Sequence, residues 1–393
     1  MTDAIGQSQG RHLRVVWFLF FFQFAGVGIF LTFINVFLHN AGLSGTQIGL
    51  IGMLGALSGM ISATLWGYLS DRTGQTRLIL ILGTLAAAFF AQLYPTALDF
   101  GSFVLFACLF SFFYSAGGTL VDSLTLSLLG DRREDYGRYR LGGSFGYILS
   151  TSLSGLLYEQ VGLQAMFPTF AVTCLGFIIA ALFLPSRPVQ KRLQSASPTK
   201  SILTMIRQPA WMILVTMVFL LWMSSSGANG FLSIAIKNMG GSDALVGLTF
   251  TAPAIAELPF MAFSAYFIRR FGPARLLWVA TAGYILRFIL YSLIPGPGWA
   301  PLINAYAGPM YVLYWNSTIN IANRMAPPGL AATAQGLIVS ATSLAGVVGA
   351  LLSGWLFDQL GPSGLFLCMS GACFLAFAIY TTGQLKKVKF PSN

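Results

Sequence analysis

Charged residues are what this sequence lacks most. Asp, Glu, Lys and Arg make up only 8% of its 393 residues, whereas 56% of the residues are hydrophobic. A soluble domain has about 25% charged residues, which keep its surface in water. The small charged fraction therefore excludes an ordinary soluble protein and indicates that lipid surrounds much of the chain.

Histidine and cysteine are also scarce, which bears on metal and redox chemistry. The two histidines, His12 and His39, lie at opposite ends of the first apolar segment, and the four cysteines fall inside apolar stretches without a CxxC or Cys/His pattern. We expect these cysteines to pack rather than to bind metal or form disulfides. The sequence predicts no metal site, no cofactor and no residue set typical of an enzyme.

Long apolar runs, separated by polar or Gly/Pro turns, predict twelve transmembrane helices. Crossing a hydrocarbon core of ~30 Å takes about 20 apolar residues. The predicted helices are residues 15–39, 45–69, 78–96, 101–129, 139–158, 165–185, 211–236, 243–268, 275–294, 300–323, 333–357 and 362–385. The expected fold is an all-α membrane protein with two six-helix bundles, 1–185 and 211–393, joined by a polar linker at 186–210.

The distribution of positive charge predicts the orientation. Of the 22 Lys and Arg residues, 20 lie at the N-terminus, in loops after even-numbered helices or in the C-terminal tail, and the exceptions are Lys237 and Arg287. Cytoplasmic loops of membrane proteins carry such an excess. The net charge of +11 therefore predicts a multi-pass protein of the plasma (inner) membrane with both termini in the cytoplasm. Its expected partner is membrane lipid and not nucleic acid.

The two halves repeat one another. An offset of 198 residues superposes four residues of the loop after helix 2 on the loop after helix 8, namely Tyr68, Arg72, Gly74 and Arg77 on Tyr266, Arg270, Gly272 and Arg275. Duplicated bundles are the usual plan of a secondary transporter, whose binding site lies near the membrane midplane.

The loop after helix 2 also carries a family resemblance. Its pattern Gly67-x-x-x-Asp71-Arg72-x-Gly74-x-x-Arg77 resembles the loop 2–3 signature of the major facilitator superfamily. Residues 28–50, 135–147 and 256–260, with Asp122 and Arg287, resemble the branch that contains lactose permease and the phenylpropionate permeases. The resemblance implies a transporter that works as a monomer.

In that superfamily the loop acid engages the start of the eleventh helix and latches the cytoplasmic side. The resemblance therefore implies that Asp71 acts near residues 332–334, held by Arg72 and Arg77. A carboxylate at a helix N-terminus is stabilised by about 0.3–1 kcal/mol. The alternative is a solvated turn whose arginines only set the topology.

Four charged residues lie in or at the predicted spans: Asp122, Arg140, Glu257 and Arg287. An ionisable group at the centre of a span costs about 2.5–3.5 kcal/mol, so it is functional by default. Each half supplies one acid and one arginine on consecutive helices, and we expect each acid to pair with its guanidinium.

The resemblance gives these pairs different roles. It implies that Asp122 and Arg140 bind substrate and that Glu257 and Arg287 couple binding to proton movement. Tyr147 lies two helical turns after Arg140 and shares its face, so it is expected to add an aromatic plate. The alternative is that both pairs are structural and that Tyr147 only packs.

The tenth helix departs from the lactose permease pattern. The proton-carrying His and Glu that lactose permease has in this helix are absent here. A proton carrier here must then be Glu257, whose neighbours are apolar, or Asp122. The polar residues Asn35, Asn229, Asn316 and Asn320 are candidate cavity-lining groups, although single amides in bundles often only bond neighbouring helices.

Together these features predict a proton-coupled importer of a small polar or anionic solute, with sugar, nucleoside and aromatic acid all open. An efflux carrier for amphiphilic compounds is the alternative. A membrane enzyme or receptor has no support from the residues.

We expect the 186–210 linker to be cytoplasmic. In a variant without native cysteines, a single cysteine introduced in the linker should react with a membrane-impermeant maleimide only after the cells are opened, because charged loops stay inside. A cysteine at Gly241, in a loop predicted to be external, is the control. Labelling of the linker in intact cells would contradict the orientation.

Overall fold

The computed structural model describes residues 2–130, 132, 135–184, 204–327 and 330–385, and these residues form helices and turns without a β-strand. Helices suit a chain in lipid because each one satisfies its own backbone hydrogen bonds. The linker predicted at 186–210 lies largely outside the described residues, as does the C-terminal tail beyond 385.

Twelve helices follow one another along the described chain. Helix α1 comprises Thr2–Gly26, a π-helical turn at Val27–Leu31 and Ile34–Asn40. The others are α2 Gly45–Thr73, α3 Thr76–Gln92, α4 Phe100–Leu129, α5 Tyr136–Val161, α6 Met166–Leu182, α7 Pro209–Asn238, α8 Asp243–Ala262 with its continuation Ser264–Phe271, α9 Pro273–Ser292 and α10 Ala300–Met325. The last helical stretch, Ala331–Leu385, is broken at Gly361, where φ is 67°, and this break separates α11 (331–360) from α12 (361–385).

The predicted number of helices is confirmed, with corrections at the ends. Within the described residues, nine helical stretches are long and apolar enough to span a membrane, and one of them, Thr333–Gly383, holds both α11 and α12. The polar helices α5 and α10 complete the set. Helix α1 begins at Thr2 rather than at residue 15, because its first turns are polar and an apolar run does not reveal them.

Contacts between residues divide the chain into two compact units. Each unit corresponds to one predicted half, except for two short segments that belong to the opposite unit. The first unit takes in α1 to α6, except for Ser44–Gly49, together with Ser242–Thr251 at the start of α8. The second takes in Ser44–Gly49, α7, the rest of α8 and α9 to α12. In this second unit the Asp358 carboxylate accepts hydrogen bonds from the backbone N–H groups of Gly45 and Thr46, at 2.6 and 2.7 Å.

Glycines bring α5 against α1 in the first unit. A Cβ on Gly142 would collide with the Trp17 carbonyl oxygen, and one on Gly146 with that of Phe21. Small residues permit such close approach between membrane helices. This packing places the start of α5, which carries Arg140, beside the aromatic face of α1.

Candidate functional site

A tyrosine joins the two predicted substrate ligands of the first unit. The hydroxyl of Tyr136, at the start of α5, donates a hydrogen bond of 2.7 Å to Oδ1 of Asp122 on α4. The Arg140 guanidinium lies close enough to interact electrostatically with both groups. No direct Asp122–Arg140 ion pair is present among the described contacts. The expected direct carboxylate–guanidinium pair is therefore corrected, because the Asp122 carboxylate accepts its hydrogen bond from the Tyr136 hydroxyl instead.

The Arg140 guanidinium instead stacks on phenylalanines of α1. It lies 3.9 Å from the ring centre of Phe24 and 5.2 Å from that of Phe20, within cation–π range. Gly143 leaves the space, since a Cβ there would press on Nη1 of Arg140. Phe24 thus provides an aromatic face for Arg140 itself, and Tyr147 is partly exposed further along α5.

Arg287 is the most deeply buried of the four charges, with 3% of its surface exposed. Its Nη2 donates hydrogen bonds of 2.7 Å to Oδ1 of Asn229 on α7 and to Oδ1 of Asn304 on α10. Both acceptors are neutral amides. Asn229 therefore connects α7 with α9. This is the alternative given above for single amides, which often only bond neighbouring helices.

Glu257 does not pair with Arg287, which corrects the expected coupling pair. Its carboxyl group is partly buried and has no hydrogen-bond or ion-pair partner among the described residues. Helix α10 lies next to Glu257 instead, because a Cβ on Gly308 would be 3.1 Å from the Glu257 backbone nitrogen. Asn304, which binds Arg287, is one turn before Gly308 on the same helix.

The other three predicted amides lie on α1 and α10. Asn35, Asn316 and Asn320 are all partly exposed, and the last two have no hydrogen bond to the rest of the described chain. Partial exposure inside a span leaves these two amides free to meet water or a solute.

The loop 2–3 residues form a tight turn between α2 and α3. Gly74 has φ of 66°, the left-handed conformation that favours glycine, and Gly67 has open space around its Cα. Arg72 donates to the Tyr68 hydroxyl at 3.2 Å, and Arg77 donates to the Leu184 carbonyl oxygen at 3.4 Å. Asp71 is exposed. The arginines thus hold the turn in which Asp71 lies.

Sequence reasoning missed Tyr136, Phe24 and Asn304. A signal existed for Tyr136, because it stands four residues before Arg140 and shares its face once α5 is known to begin at Tyr136 rather than at residue 139. Phe24 is one of many phenylalanines on α1, and no local pattern distinguishes it. Asn304 was overlooked because it lies near the start of its helix.

An apolar groove lies apart from the four charged residues. It has a volume of about 500 Å³ and is lined by residues of α1, α5 and α6, including Phe21, Leu149 and Leu153. None of the four charged residues lines it. Its apolar walls suit lipid chains, so we place the candidate site at the charges.

Twelve helices with acids and arginines inside the spans fit a multi-pass membrane protein that handles a polar solute. The sequence profile described as "MFS_1 like family" matches residues 13–368. The chain belongs to this family of major facilitator superfamily transporters, and it is not an enzyme.

Several relatives align over nearly the whole chain. Maltose permease of Geobacillus stearothermophilus is 28% identical over 366 residues, which cover 93% of this chain and 90% of the relative. The probable 3-phenylpropionic acid transporter of Escherichia coli (strain K12) is 26% identical over 371 residues, covering 92% and 94%. The crystal structure of the nucleoside transporter NupG superposes with a TM-score of 0.81 at 17% identity, covering 94% of this chain and 98% of that one. This last likeness supports the fold.

Replacing Asn304 by Leu should lower the thermal stability of the purified protein. The change leaves a buried guanidinium without one of its two close acceptors, and hydrogen bonds to charged groups contribute about 1.5–3 kcal/mol. The matched control is Asn316→Leu on the same helix, which should have little effect because Asn316 has no such bond. Equal melting temperatures for the two variants would contradict the role of Asn304.

Proposed function

We propose that this protein is a proton-coupled symporter that imports a small polar or anionic organic solute by alternating access. The observation that carries the proposal is the unequal setting of the two acids. Asp122 has a hydrogen-bonded tyrosine and a nearby guanidinium, whereas Glu257 has no partner among the described residues. One acid is thus built into a binding cluster, and the other is left to change its protonation state.

Asp122, Arg140 and Tyr136 form the substrate cluster under this proposal. The Arg140 guanidinium lies over the Phe24 ring, while no carboxylate of the described chain forms an ion pair with it. A fixed guanidinium with unused donors binds hydroxyl or carboxylate oxygens well. Tyr147, Asn35, Asn316 and Asn320 are proposed to contact other parts of the solute.

Glu257 is proposed to carry the proton. An unpartnered carboxyl group in apolar surroundings is stable when protonated. Arg287 acts on it indirectly in this proposal, since Asn304 and Gly308 connect the two residues through one turn of α10.

The names of the relatives are consistent with this class of substrate. Maltose, 3-phenylpropionic acid and nucleosides are all small organic solutes that are either polar or anionic. We propose that the protein is a monomer in the plasma (inner) membrane with cytoplasmic termini, and that its substrate is one of these three chemical classes.

The division of labour between the acids is testable in vesicles. Asp122→Asn and Arg140→Lys should each weaken substrate affinity by about 100-fold. The first removes the carboxylate that compensates the Arg140 charge in a low-dielectric site, and the second keeps a positive charge but loses the planar guanidinium that binds two oxygens at once. Glu257→Gln, which imitates the protonated acid, should still exchange substrate across the membrane but fail to accumulate it. The measurements are equilibrium exchange and uptake driven by a pH gradient.

Matched controls are available for each change. Asp99→Asn retains the N-cap of α4, since Asn caps helices as well as Asp does, and Arg138→Lys and Glu159→Gln alter exposed positions of α5. Active accumulation by the Glu257 variant, or normal affinity in the other two, would show the assignment to be wrong. If the same pH gradient drives the substrate in the direction opposite to the protons, the efflux carrier is favoured over the symporter.

Asp71 is proposed to latch the cytoplasmic side, with Gly67, Arg72, Gly74 and Arg77 shaping its turn. Asp71→Asn should shift the conformational balance while leaving substrate affinity within a few fold, because Asp71 is exposed at the end of α2 and does not belong to the helices that carry Asp122 and Arg140. Cysteine accessibility from each side of the membrane measures the balance. Unchanged accessibility together with full transport would exclude the latch.

A further inference from the structure

Three aromatic rings meet in the second unit, outside the proposed substrate cluster. Trp222 of α7 lies 6.3 Å from both Tyr311 and Trp315 of α10, between ring centres, and the two α10 rings are stacked at 6.4 Å. Tyr311 and Trp315 are four residues apart and therefore share a helix face. We call these three residues the aromatic platform.

The platform is partly exposed, unlike its aromatic neighbours. Tyr284, Tyr291 and Tyr314 in the same unit are at most 4% exposed, whereas all three platform residues retain an intermediate exposure. Within the described chain, the indole N–H groups of Trp222 and Trp315 have no hydrogen-bond partner. Tryptophans at membrane surfaces lie near helix ends, but both of these are in the middle part of their helices.

An unpartnered indole N–H in the middle of a span is unfavourable against lipid, because hydrocarbon offers no acceptor. These two donors therefore face a space that holds water or a solute. Gly346 of α11 keeps part of that space open, since a Cβ there would be 3.9 Å from both the Trp222 indole nitrogen and Ser226 Oγ. Ser226 Oγ is itself buried without a partner in the described residues.

The platform also adjoins the groups proposed for coupling. Gly308, which contacts the Glu257 backbone, lies three residues before Tyr311 on α10. Tyr311 interacts electrostatically with Tyr284, and Tyr284 does so with Arg287. A solute on the platform would thus rest on α10 directly after the turn, Asn304 to Gly308, that links Glu257 with Arg287.

We propose that the aromatic platform binds an aromatic ring of the transported solute, with a hydrogen-bond acceptor either on the ring or on its side chain. Flat rings stack on aromatic side chains, and the two free indole N–H groups call for acceptors rather than donors. This inference rests on the proposed function and narrows its substrate class from three chemical classes to two, aromatic acids and nucleosides. It places the ring in the second unit.

The first experiment measures binding to the purified protein by thermal shift, with 3-phenylpropionate and adenosine as aromatic probes. 3-Cyclohexylpropionate has the same carboxylate on a saturated ring. At least one aromatic probe should stabilise the wild type, and the cyclohexyl compound should bind at least tenfold more weakly than 3-phenylpropionate wherever the latter binds. Failure of both aromatic probes would overturn the proposal, as would preference for maltose.

The second experiment uses variants of the platform. Trp222→Leu and Trp315→Leu should each weaken binding of the aromatic probe about tenfold, in line with the loss of one stacking contact, and Gly346→Leu should block the space beside Trp222. Trp222→Phe keeps a stacking ring and should lose less. The control is Trp278→Leu, because Trp278 is exposed on α9 and its N–H already bonds Thr381.

The outcomes separate this inference from the proposed function. If the two Leu variants bind the aromatic probe as tightly as the wild type does, the platform is refuted. The proposed function still holds in that case, provided that the wild type shows uptake driven by the pH gradient. Loss of probe binding in them, together with uptake in the wild type that ignores the pH gradient, would support the platform and refute proton coupling. A variant that fails to fold is recognised by its melting temperature in the absence of the probe. In that case Trp222→Phe tests the platform: weaker probe binding than in the wild type supports it, and affinity equal to that of the wild type contradicts it.

Discussion

The lack of water in the hydrocarbon core is the constraint on which the rest of this structure depends. Each charge placed there needs a partner from the protein, because lipid supplies none. Arg287 meets this demand with two amide oxygens, and Arg140 meets it with two aromatic rings and a nearby acid. Only Glu257 is left without a partner in the described chain, and a carboxyl group can meet the demand by taking up a proton.

Helix α10 connects the features of the second unit. Asn304 binds Arg287, Gly308 admits the backbone of α8 at Glu257, and Tyr311 belongs to the aromatic platform. These three residues occupy two successive turns. A shift of α10 along or about its axis would therefore act on the guanidinium, the acid and the rings together. This geometry gives the proposed coupling a physical route that does not need a direct Glu257–Arg287 ion pair.

Hydropathy and charge were sufficient to predict the twelve helices, because the cost of polar groups in lipid acts on every span alike. The same cost identified Asp122, Arg140, Glu257 and Arg287 as positions of interest. Partners could not be predicted in this way, since they depend on how far each helix is rotated and how closely glycines let it approach. Gly143 makes room for Arg140 on Phe24, and one additional methyl group there would change the partner. In the same way, two amides from neighbouring helices and not Glu257 bind Arg287.

Carboxylates at helix N-termini show the same limit of sequence reasoning. The loop signature directed attention to Asp71, yet the contact of this kind within the second unit is made by Asp358, which accepts from Gly45 and Thr46 at the start of α2. The partners are more than 300 residues apart in the sequence, so no local motif reveals them. A charge at a helix terminus contributes about 0.3–1 kcal/mol when exposed. That is enough to favour one arrangement of two helices and small enough to be broken, as the proposed alternating access requires of such a contact.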